Sequence, residues 1–433
     1  MLVTLSRTLL PGAAPPAVLR RGGVRCKADH SGKPAVAAAS AAAAAANPAL
    51  ARQAPVLDLV SAPDVVQRKR AELAGIAPGG LSKALVYASA APLIWLGGLV
   101  NNAPLLLKGQ GAPPARLAPP PFPLHEEFVT VNGLRLHCVS PRRRNPGKPL
   151  MLFLHGFPEL WYSWRFQMEE FAADYDVVAV DQRGYNDSDK PPSVSDYRLA
   201  QLAADVQEVV KALGHESCTL VAHDWGGLVA WTVAGMYGPK LVERLIVMAL
   251  PHSGVGNTNW DWAQAQKSSY MLLFQAPLLP EAFLTSDGAA SMETFFSKQP
   301  AGLINSGAIT QDDIAWYRAA ILKPGAAKAA LNYYRALLRT VTLADQPGDQ
   351  DVWSALRTQL AMPTLLLHGE KDVALGEKLL TGVEAAFDPA GGGVEVKMLK
   401  DCSHWVQQDY PLQVNSIMRD WLRRQDEKKG ARQ

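Results

Sequence analysis

The sequence predicts an α/β fold in which a mostly parallel sheet is flanked by helices and a helical cap domain is inserted into the chain. Short apolar runs alternate with segments of helical spacing, which is the pattern of a parallel sheet covered on both faces. Between residues 251 and 354 this alternation stops, and the chain becomes rich in aromatic residues and helix-like stretches without convincing strands. We interpret that segment as the cap.

The composition is that of a globular protein. The chain has 433 residues, 48% of them hydrophobic, and a net charge of +3. This charge is too small and too scattered to indicate a nucleic-acid partner. The four cysteines lie far apart without a Cys-x-x-Cys pair, so the sequence predicts neither a disulfide framework nor a zinc site and favours a reducing compartment.

The chain divides into six predicted segments. These are 1–50, a transit peptide with an alanine-rich low-complexity run; 51–121, an N-terminal extension with a Pro-rich linker; 122–250, the first part of the α/β core; 251–354, the cap; 355–425, the second part of the core; and 426–433, a charged tail. We expect the folded core to start just after the linker and the tail to be frayed.

The first 28 residues are basic and contain no acidic residue. An Arg-rich, acid-free start is typical of an organelle transit peptide. The sequence Val-Arg-Cys-Lys-Ala around Cys26 resembles chloroplast processing sites. We therefore expect a chloroplast protein, with import into the mitochondrion or a disordered basic tail as the alternatives.

A second unusual stretch, residues 84–107, contains no charged residue. It is long enough to cross a bilayer. Pro92, Gly97, Gly98 and Pro104 argue against a regular spanning helix, because glycine and proline weaken helix interiors. Membrane association through this stretch is one hypothesis, and packing against the catalytic domain is the other.

Strands are predicted from apolar runs that end in polar or turn-forming residues. Asn132-Gly133 is a strong hairpin signal, here between strands at 128–131 and 134–139. The other predicted strands are 150–154, 176–180, 218–222, 245–250, 363–368 and 394–399, with helices at 199–213 and 411–424.

An acidic residue, Asp224, follows the strand at 218–222 and precedes a helix. Small residues two places before and after it, Ala222 and Gly226, match the tight strand-to-helix turn that carries the nucleophile in α/β-hydrolases. A carboxylate at this apex attacks saturated carbon and forms an ester. The alternative is an aspartate that caps the following helix.

Two further catalytic candidates, Asp372 and His404, each follow a predicted strand. Nucleophile, acid and base occur in this order along the chain in this fold, so Asp224, Asp372 and His404 are predicted to form a catalytic triad. Three other histidines near the motifs are interpreted as structural: His155, His223 and His368.

The loop after the strand at 150–154 reads His-Gly-Phe-Pro-Glu. In this fold one oxyanion-hole N–H comes from that loop and the other from the residue after the nucleophile, here Phe157 and Trp225. Pro158 is expected in a cis peptide that aims the loop; an ordinary Gly-Pro turn is the alternative. The polar loop at 181–189 is interpreted as a hydrogen-bonded scaffold.

Over roughly residues 122–425 the chain resembles the soluble-type epoxide hydrolases of the α/β-hydrolase superfamily. The resemblance rests on four motifs: His-Gly-Phe-Pro-Glu at 155–159, His-Asp-Trp-Gly-Gly at 223–227, Gly-Glu-Lys-Asp at 369–372 and Cys-Ser-His-Trp at 402–405. It implies an α/β-hydrolase fold with a cap domain and a reaction that needs neither metal nor cofactor.

The resemblance also implies that two cap tyrosines hold and protonate the epoxide oxygen. The motifs Ser-Tyr-Met-Leu-Leu-Phe-Gln and Leu-Asn-Tyr-Tyr-Arg assign these roles to Tyr270 and Tyr334, with Tyr333 as an alternative to Tyr334. In the implied reaction Asp224 opens the epoxide, and water activated by His404 hydrolyses the ester to release a vicinal diol.

Two other functions fit parts of this pattern. A haloalkane dehalogenase shares the Asp nucleophile and the following Trp, but typically has Asn where this chain has Phe157 and needs no tyrosine acid. A noncatalytic hydrolase-fold binding protein usually lacks triad members that this chain has. The predicted substrate is a small apolar epoxide, in a pocket lined by Pro158, Trp262, Phe274, Leu278, Leu279 and Phe283.

If residues 1–28 are an import signal, the mature protein should begin near Cys26 rather than at Met1. N-terminal sequencing of the protein isolated from its own cells measures this directly. An intact Met1 on the native protein would contradict the transit-peptide prediction.

Overall fold

The strands assemble into one sheet whose central members are parallel. The computed structural model describes residues 41–75, 108–342 and 348–431. Within these ranges nine strands lie in the order β1-β9-β8-β7-β6-β4-β5-β3-β2. The strands are β1 (Val56–Leu59), β2 (Leu124–Val131), β3 (Leu134–Pro141), β4 (Leu150–Leu154), β5 (Asp176–Val180), β6 (Cys218–His223), β7 (Val242–Met248), β8 (Thr364–Gly369) and β9 (Val394–Leu399).

The strands β4 to β9 pair in parallel, whereas β1, β2 and β3 pair antiparallel at the two edges. This confirms the predicted α/β class. The central strands β4, β5 and β6 are buried along their whole length, as expected of a parallel sheet covered on both faces. Because parallel strands end at one edge, the loops after β4, β6, β8 and β9 meet there.

Most strand predictions agree with the structure. The hairpin between β2 and β3 turns at Asn132 and Gly133, which have φ of 50° and 77°, and positive φ at both positions is what a type I′ turn requires. The strand predicted at 245–250 is shifted to Val242–Met248. It ends early because Ala249 adopts φ of 52° and leaves the extended conformation.

The helices fall into a set that covers the sheet and a set that forms the cap. They are α1 (Pro63–Ala74), α2 (Arg165–Phe171), α3 (Leu199–Ala212), α4 (Trp225–Tyr237), α5 (Ser253–Thr258), α6 (Trp262–Lys267), α7 (Tyr270–Leu273), α8 (Leu279–Ala289), α9 (Ser291–Phe296), α10 (Gln311–Ile321), α11 (Ala326–Thr342), α12 (Asp349–Ala355), α13 (Val406–Asp409) and α14 (Pro411–Gly430).

The inserted segment is helical in the residues described, but its ends belong to the core. Helix α5 contacts α1 and the turns after β8, and α12 packs against α4 and α3. The contact with α4 is close, because a Cβ on Gly235 would lie 2.4 Å from the carbonyl oxygen of Ala355. The cap itself therefore runs from α6 to α11, which is shorter than the predicted 251–354.

The predicted start of the folded core, just after the Pro-rich linker, is wrong. Strand β1 lies within the supposed extension and pairs with β9 through the register Val56 to Leu399. Helix α1 packs beside it on α5 and on the turn Val383–Ala386. The strand has only four residues, and its partner lies more than 300 positions away, so local periodicity did not reveal the pairing.

The charged C-terminal tail was predicted to fray, but α14 continues through it to Gly430. Arg423 and Glu427 pair at 2.7 Å across one helical turn, and Asp426 pairs with Arg244 of β7. These contacts explain why the charged sequence stays helical, since ion pairs four residues apart stabilise helices.

Two predictions fall outside the described residues: the transit peptide at 1–28 and the uncharged stretch at 84–107. In the parts of the chain that the structure describes, no helix combines the length and apolar character that a membrane crossing requires.

Candidate active site

Asp224 lies at the apex of a tight turn between β6 and α4. Its backbone has φ of 48° and ψ of −119°, a conformation that non-glycine residues adopt only when the surroundings enforce it. Gly226 is essential to this turn because a Cβ there would lie 2.3 Å from the carbonyl oxygen of Leu154. The structure thus has the strand-to-helix elbow that the small residues predicted.

The loop after β4 approaches the Asp224 side chain through its backbone. A Cβ on Gly156 would lie 2.7 Å from Asp224 Oδ1, so only glycine fits there. Next to it, the Phe157 N–H donates to Asp224 Oδ1 at 2.8 Å, and Phe157-Pro158 is cis as predicted. Trp225, whose N–H is the second predicted oxyanion donor, begins helix α4 directly after Asp224.

His404 lies between two carboxylates. Its Nδ1 is 2.7 Å from Asp372 Oδ2, and its Nε2 is 3.5 Å from Asp224 Oδ2. The other oxygen of Asp372 accepts the backbone N–H groups of Ala374 and Leu375 at 2.7 and 2.8 Å. The predicted triad residues are therefore in hydrogen-bonding order, with the acid held by its own loop.

The charges in this row stabilise one another. Burial would lower the pKa of His404, but the carboxylates of Asp372 and Asp224 outweigh it and raise the pKa well above that of free imidazole. Burial would also raise the pKa of Asp224, but the hydrogen bond and charge of His404 hold it below its usual range. Near neutral pH Asp224 is therefore an ionised carboxylate beside an imidazolium.

Two tyrosines of the cap lie near the nucleophile. The Tyr334 ring packs edge-on against Trp225 and Phe157 at 4.9 and 5.1 Å between centroids, and the Tyr270 ring lies 5.9 Å from Tyr334. Burial and the Asp224 carboxylate raise the pKa of Tyr270. Burial, Tyr270 and Asp224 raise the pKa of Tyr334 likewise. Both phenols therefore keep their protons.

The neighbouring Tyr333 has a different place. Its hydroxyl donates to the backbone oxygen of Arg183 at 2.8 Å, and its ring packs against Tyr185 and Tyr197 of the core. A phenol already bonded to a buried carbonyl is not available to a substrate. The geometry therefore favours Tyr334 over Tyr333 as the second cap tyrosine.

Aromatic rings surround the space above Asp224. Phe274 contacts Phe157, Tyr270 and Tyr334 at centroid distances of 5.5, 5.4 and 5.0 Å, and Phe295 lies 6.2 Å from Phe157. Such a wall suits an apolar substrate and excludes water, which strengthens the electrostatic interactions inside. Phe295 was missed from the sequence because the cap offers many aromatic residues and no motif marks this one.

Two predicted pocket residues lie at the surface instead. Trp262 is 67% exposed, and Leu278 is 74% exposed. Trp262 starts α6, which is capped by Asp261 and turns Gln264 inward, so the indole points to solvent. Leu278 occupies the turn before α8 with φ of 65°. These two assignments are wrong. Leu279 is buried, and Phe283 packs against Phe295.

A buried pair beneath the triad was not predicted as functional. His223 Nδ1 is 2.7 Å from Glu159 Oε2, and His223 Nε2 is 2.9 Å from the backbone oxygen of His404. Glu159 also accepts the Gly156 N–H at 2.9 Å and the side-chain amide of Gln408 at 3.0 Å. This pair therefore connects the loop after β4, which carries Phe157, to the loop that carries His404. The only sequence signal was the position of Glu159 and His223 in two motifs.

The remaining sequence interpretations concern the scaffold. His155 Nε2 accepts the Gln182 N–H at 3.1 Å, and His368 Nε2 lies 3.1 Å from the Leu375 carbonyl, so both rings hold loops. Asp181 accepts hydrogen bonds from Trp161 N–H and from the Asn186 side chain at 2.8 Å each. Among the described residues, no cluster of three or more His, Cys, Asp or Glu is arranged to hold a metal ion.

The chain is similar to several known proteins. The sequence profile described as alpha/beta hydrolase fold matches residues 149–411. The chain is 37% identical over 304 residues to epoxide hydrolase 1 of Caenorhabditis elegans, covering 68% of this chain and 69% of that one. It is 36% identical over 327 residues to human epoxide hydrolase 4, covering 73% and 84%.

The solved structures to which the chain is similar are also epoxide hydrolases. The crystal structure of Bacillus megaterium epoxide hydrolase with an inhibitor superposes with a TM-score of 0.58 and 31% identity, covering 69% of this chain and all of that chain. Epoxide hydrolase A of Mycobacterium thermoresistibile has a TM-score of 0.58 and 30% identity, with coverage of 70% and 98%. The chain therefore belongs to the α/β-hydrolase fold family and, within it, to the epoxide hydrolases.

Proposed function

We propose that this protein hydrolyses a small apolar epoxide to a vicinal diol through a covalent ester on Asp224. The proposal rests on the groups that surround the Asp224 carboxylate. Asp224 is held by the Phe157 N–H, faces His404, and lies near two protonated tyrosines, of which Tyr334 is buried and Tyr270 is partly buried. Diol formation by the full-length protein from a panel of fatty-acid, terpene and aryl epoxides tests it.

In the first step a carboxylate oxygen of Asp224 attacks an epoxide carbon. A new C–O bond forms to the carboxylate as the ring C–O bond breaks, and the ring oxygen leaves as an alkoxide. Tyr270 and Tyr334 donate hydrogen bonds to this oxygen, and one of them transfers its proton to it and is left as a phenolate. Such acid assistance contributes about 10²–10⁴-fold in rate, and an alkoxide, unlike a halide, is a poor leaving group without it.

In the second step water attacks the ester carbonyl. Esterification removes the negative charge of Asp224, so one of the two carboxylates that raise the pKa of His404 is lost. The pKa of His404 then falls, and the imidazolium releases, through solvent, the proton that restores the phenolate to a phenol. The neutral imidazole, oriented by Asp372, then takes one proton from water as the hydroxide adds to the ester carbonyl. The N–H groups of Phe157 and Trp225 stabilise the tetrahedral oxyanion, each contributing about 3 kcal/mol. As the intermediate collapses, the bond from the carbonyl carbon to the substrate oxygen breaks, and that oxygen takes the second proton of the water. The diol leaves, Asp224 is a carboxylate again, and His404 is again an imidazolium.

The proposed location is the chloroplast, with association at a membrane. The support is the acid-free composition of residues 1–28 and the uncharged stretch at 84–107. The mitochondrion is the alternative compartment.

Replacement of His404 by Gln should separate the two steps. Asp224 attacks carbon without help from His404, so His404→Gln should react once with an epoxide and stop at the ester. Intact-mass measurement should show one added substrate mass, and peptide mapping should place it on Asp224. The matched control, Asp224→Asn, should show none. A folded His404→Gln protein that gains no mass from a substrate of the wild type would contradict the mechanism.

Removal of the tyrosine hydroxyls should affect only ring opening. In single-turnover experiments Tyr270→Phe and Tyr334→Phe should each slow ester formation, by about 10²-fold for a general acid, and leave ester hydrolysis nearly unchanged. The double variant should be almost inactive. Tyr333→Phe serves as the control, because its hydroxyl is bonded to Arg183. Near-native epoxide turnover by the double variant would show that these tyrosines are not the acids.

The two steps should respond differently to pH. Hydrolysis needs neutral His404, so its rate should fall as the pH drops below the pKa of His404 in the ester intermediate. Ester formation needs ionised Asp224, whose pKa is lowered in the free enzyme, so it should persist to lower pH. Rapid-quench measurements should therefore find more ester at pH 5 than at pH 8. Equal accumulation at both values would argue against His404 as the base.

A further inference from the structure

The loop that carries His404 is fastened by a carboxylate outside the triad. Asp409, at the end of α13, is buried, and its Oδ2 accepts the Ser403 N–H at 2.7 Å. Ser403 directly precedes His404 in the chain. The position of the imidazole therefore depends on a hydrogen bond whose acceptor never contacts the reacting atoms.

The same carboxylate also holds the cap. Asp409 Oδ1 accepts the Asn305 N–H at 2.7 Å, and the Asn305 side-chain amide donates to the Asp409 backbone oxygen at 3.0 Å. Asn305 is 2% exposed and lies between α9 and α10. Near it, the Trp405 indole N–H reaches the backbone oxygens of Phe295 and Ala301, at 2.9 Å each. The cap segment 295–305 is thus linked to both neighbours of His404 in the chain: to Ser403 through Asp409, and to Trp405 directly.

The N-terminal segment completes this contact. The Asn305 amide donates to the Ala49 carbonyl at 2.7 Å, and Arg52 donates to Asn305 Oδ1 at 3.2 Å. Beside them, the Asn47 side chain donates to the Gly307 carbonyl at 2.8 Å. Residues 47–52 precede the region matched by the family profile, 149–411. Residues 47–52 therefore contact the cap at Asn305, the residue that is hydrogen-bonded to Asp409.

We propose that Asn305 and Asp409 are positioning residues for His404, and that residues 47–52 fasten them from the opposite side. The inference rests on the proposed function, in which His404 acts as the base for ester hydrolysis only. We call the contacts of Asn305 with Asp409 and with residues 47–52 the junction. Removal of contacts in the junction should therefore slow ester hydrolysis and leave ester formation unchanged. A residue that merely supports the fold would affect both steps or neither.

The chain offers a matched control at Gln413 on α14. Its side chain exchanges two hydrogen bonds with the backbone of Ala54, each 2.7 Å long. Gln413→Ala would thus remove two hydrogen bonds of Ala54, which lies outside residues 47–52, and would leave the bonds of residues 47–52, Asn305 and Asp409 in place. Asn305→Ala also loses side-chain bonds, but these lead to the Asp409 backbone oxygen, to the Ala49 carbonyl and to Arg52. The bond from the Asn305 N–H to the Asp409 carboxylate remains.

The test compares full-length wild type, Asn305→Ala, Arg52→Ala and Gln413→Ala on one epoxide. Asn305→Ala should lower the rate of ester hydrolysis about tenfold, since small displacements of a catalytic group cost that much or more. Because only the second step slows, kcat and KM should fall together, kcat/KM should stay constant, and ester should accumulate in the steady state. Arg52→Ala should show a smaller change in the same direction, and Gln413→Ala should match the wild type.

The outcomes separate the two proposals. A wild type that forms neither ester nor diol from any epoxide would overturn the proposed function itself. An active wild type with Asn305→Ala and Gln413→Ala alike in kcat, KM and ester level would overturn only the positioning role. If Asn305→Ala does not fold, the test is made with Arg52→Ala, which removes one hydrogen bond donated by an exposed side chain. Unchanged ester hydrolysis in that variant would then count against the inference.

Discussion

The site depends on one buried row of charges, a histidine between two aspartates. Charged groups are expensive to bury unless each has a partner, and here each carboxylate has His404 on one side and backbone N–H groups on the other. Phe157 supplies the N–H to Asp224, and Ala374 and Leu375 supply those to Asp372. Each charge shifts the pKa of its neighbours, so the loss of one changes the protonation of the others. In the proposed mechanism, esterification of Asp224 therefore frees His404 to act as the base when water must be activated.

Close backbone approach is the second constraint, and it explains the glycines. The N–H of Phe157 can reach Asp224 because Gly156 has no Cβ, and the elbow can close over β4 because Gly226 has none. Gly369 plays the same part at the other end, where a Cβ would lie 2.1 Å from the carbonyl oxygen of Ser403. The loop after β4 and the loop that carries His404 are thereby brought to 2.8 and 3.5 Å from the Asp224 carboxylate.

The contacts at Asn305 and Asp409 show how residues that do not touch the reacting atoms fix the position of the His404 loop. The loops with the triad residues follow strands of the sheet, whereas the two tyrosines come from the cap, so the proposed reaction requires sheet and cap to keep a fixed relative position in both steps. Contacts from the cap to Trp405 and Asp409, and from residues 47–52 to Asn305, link these layers directly. The N-terminal segment is thus part of the enzyme body, although local composition indicated only an extension.

The sequence by itself determined the sheet, the elbow, the order of the triad and the cap as a helical insertion, because each has a local signature in apolar period, small residues or turn chemistry. Tertiary structure alone decided which aromatic side chains face inward, and it placed Trp262 and Leu278 outside and Phe295 inside. It also decided the pairing of β1 with β9 and the contacts of Glu159 and Asp409. Those features join residues that are far apart in the chain, and the local pattern of a short segment does not specify which distant residues it will contact.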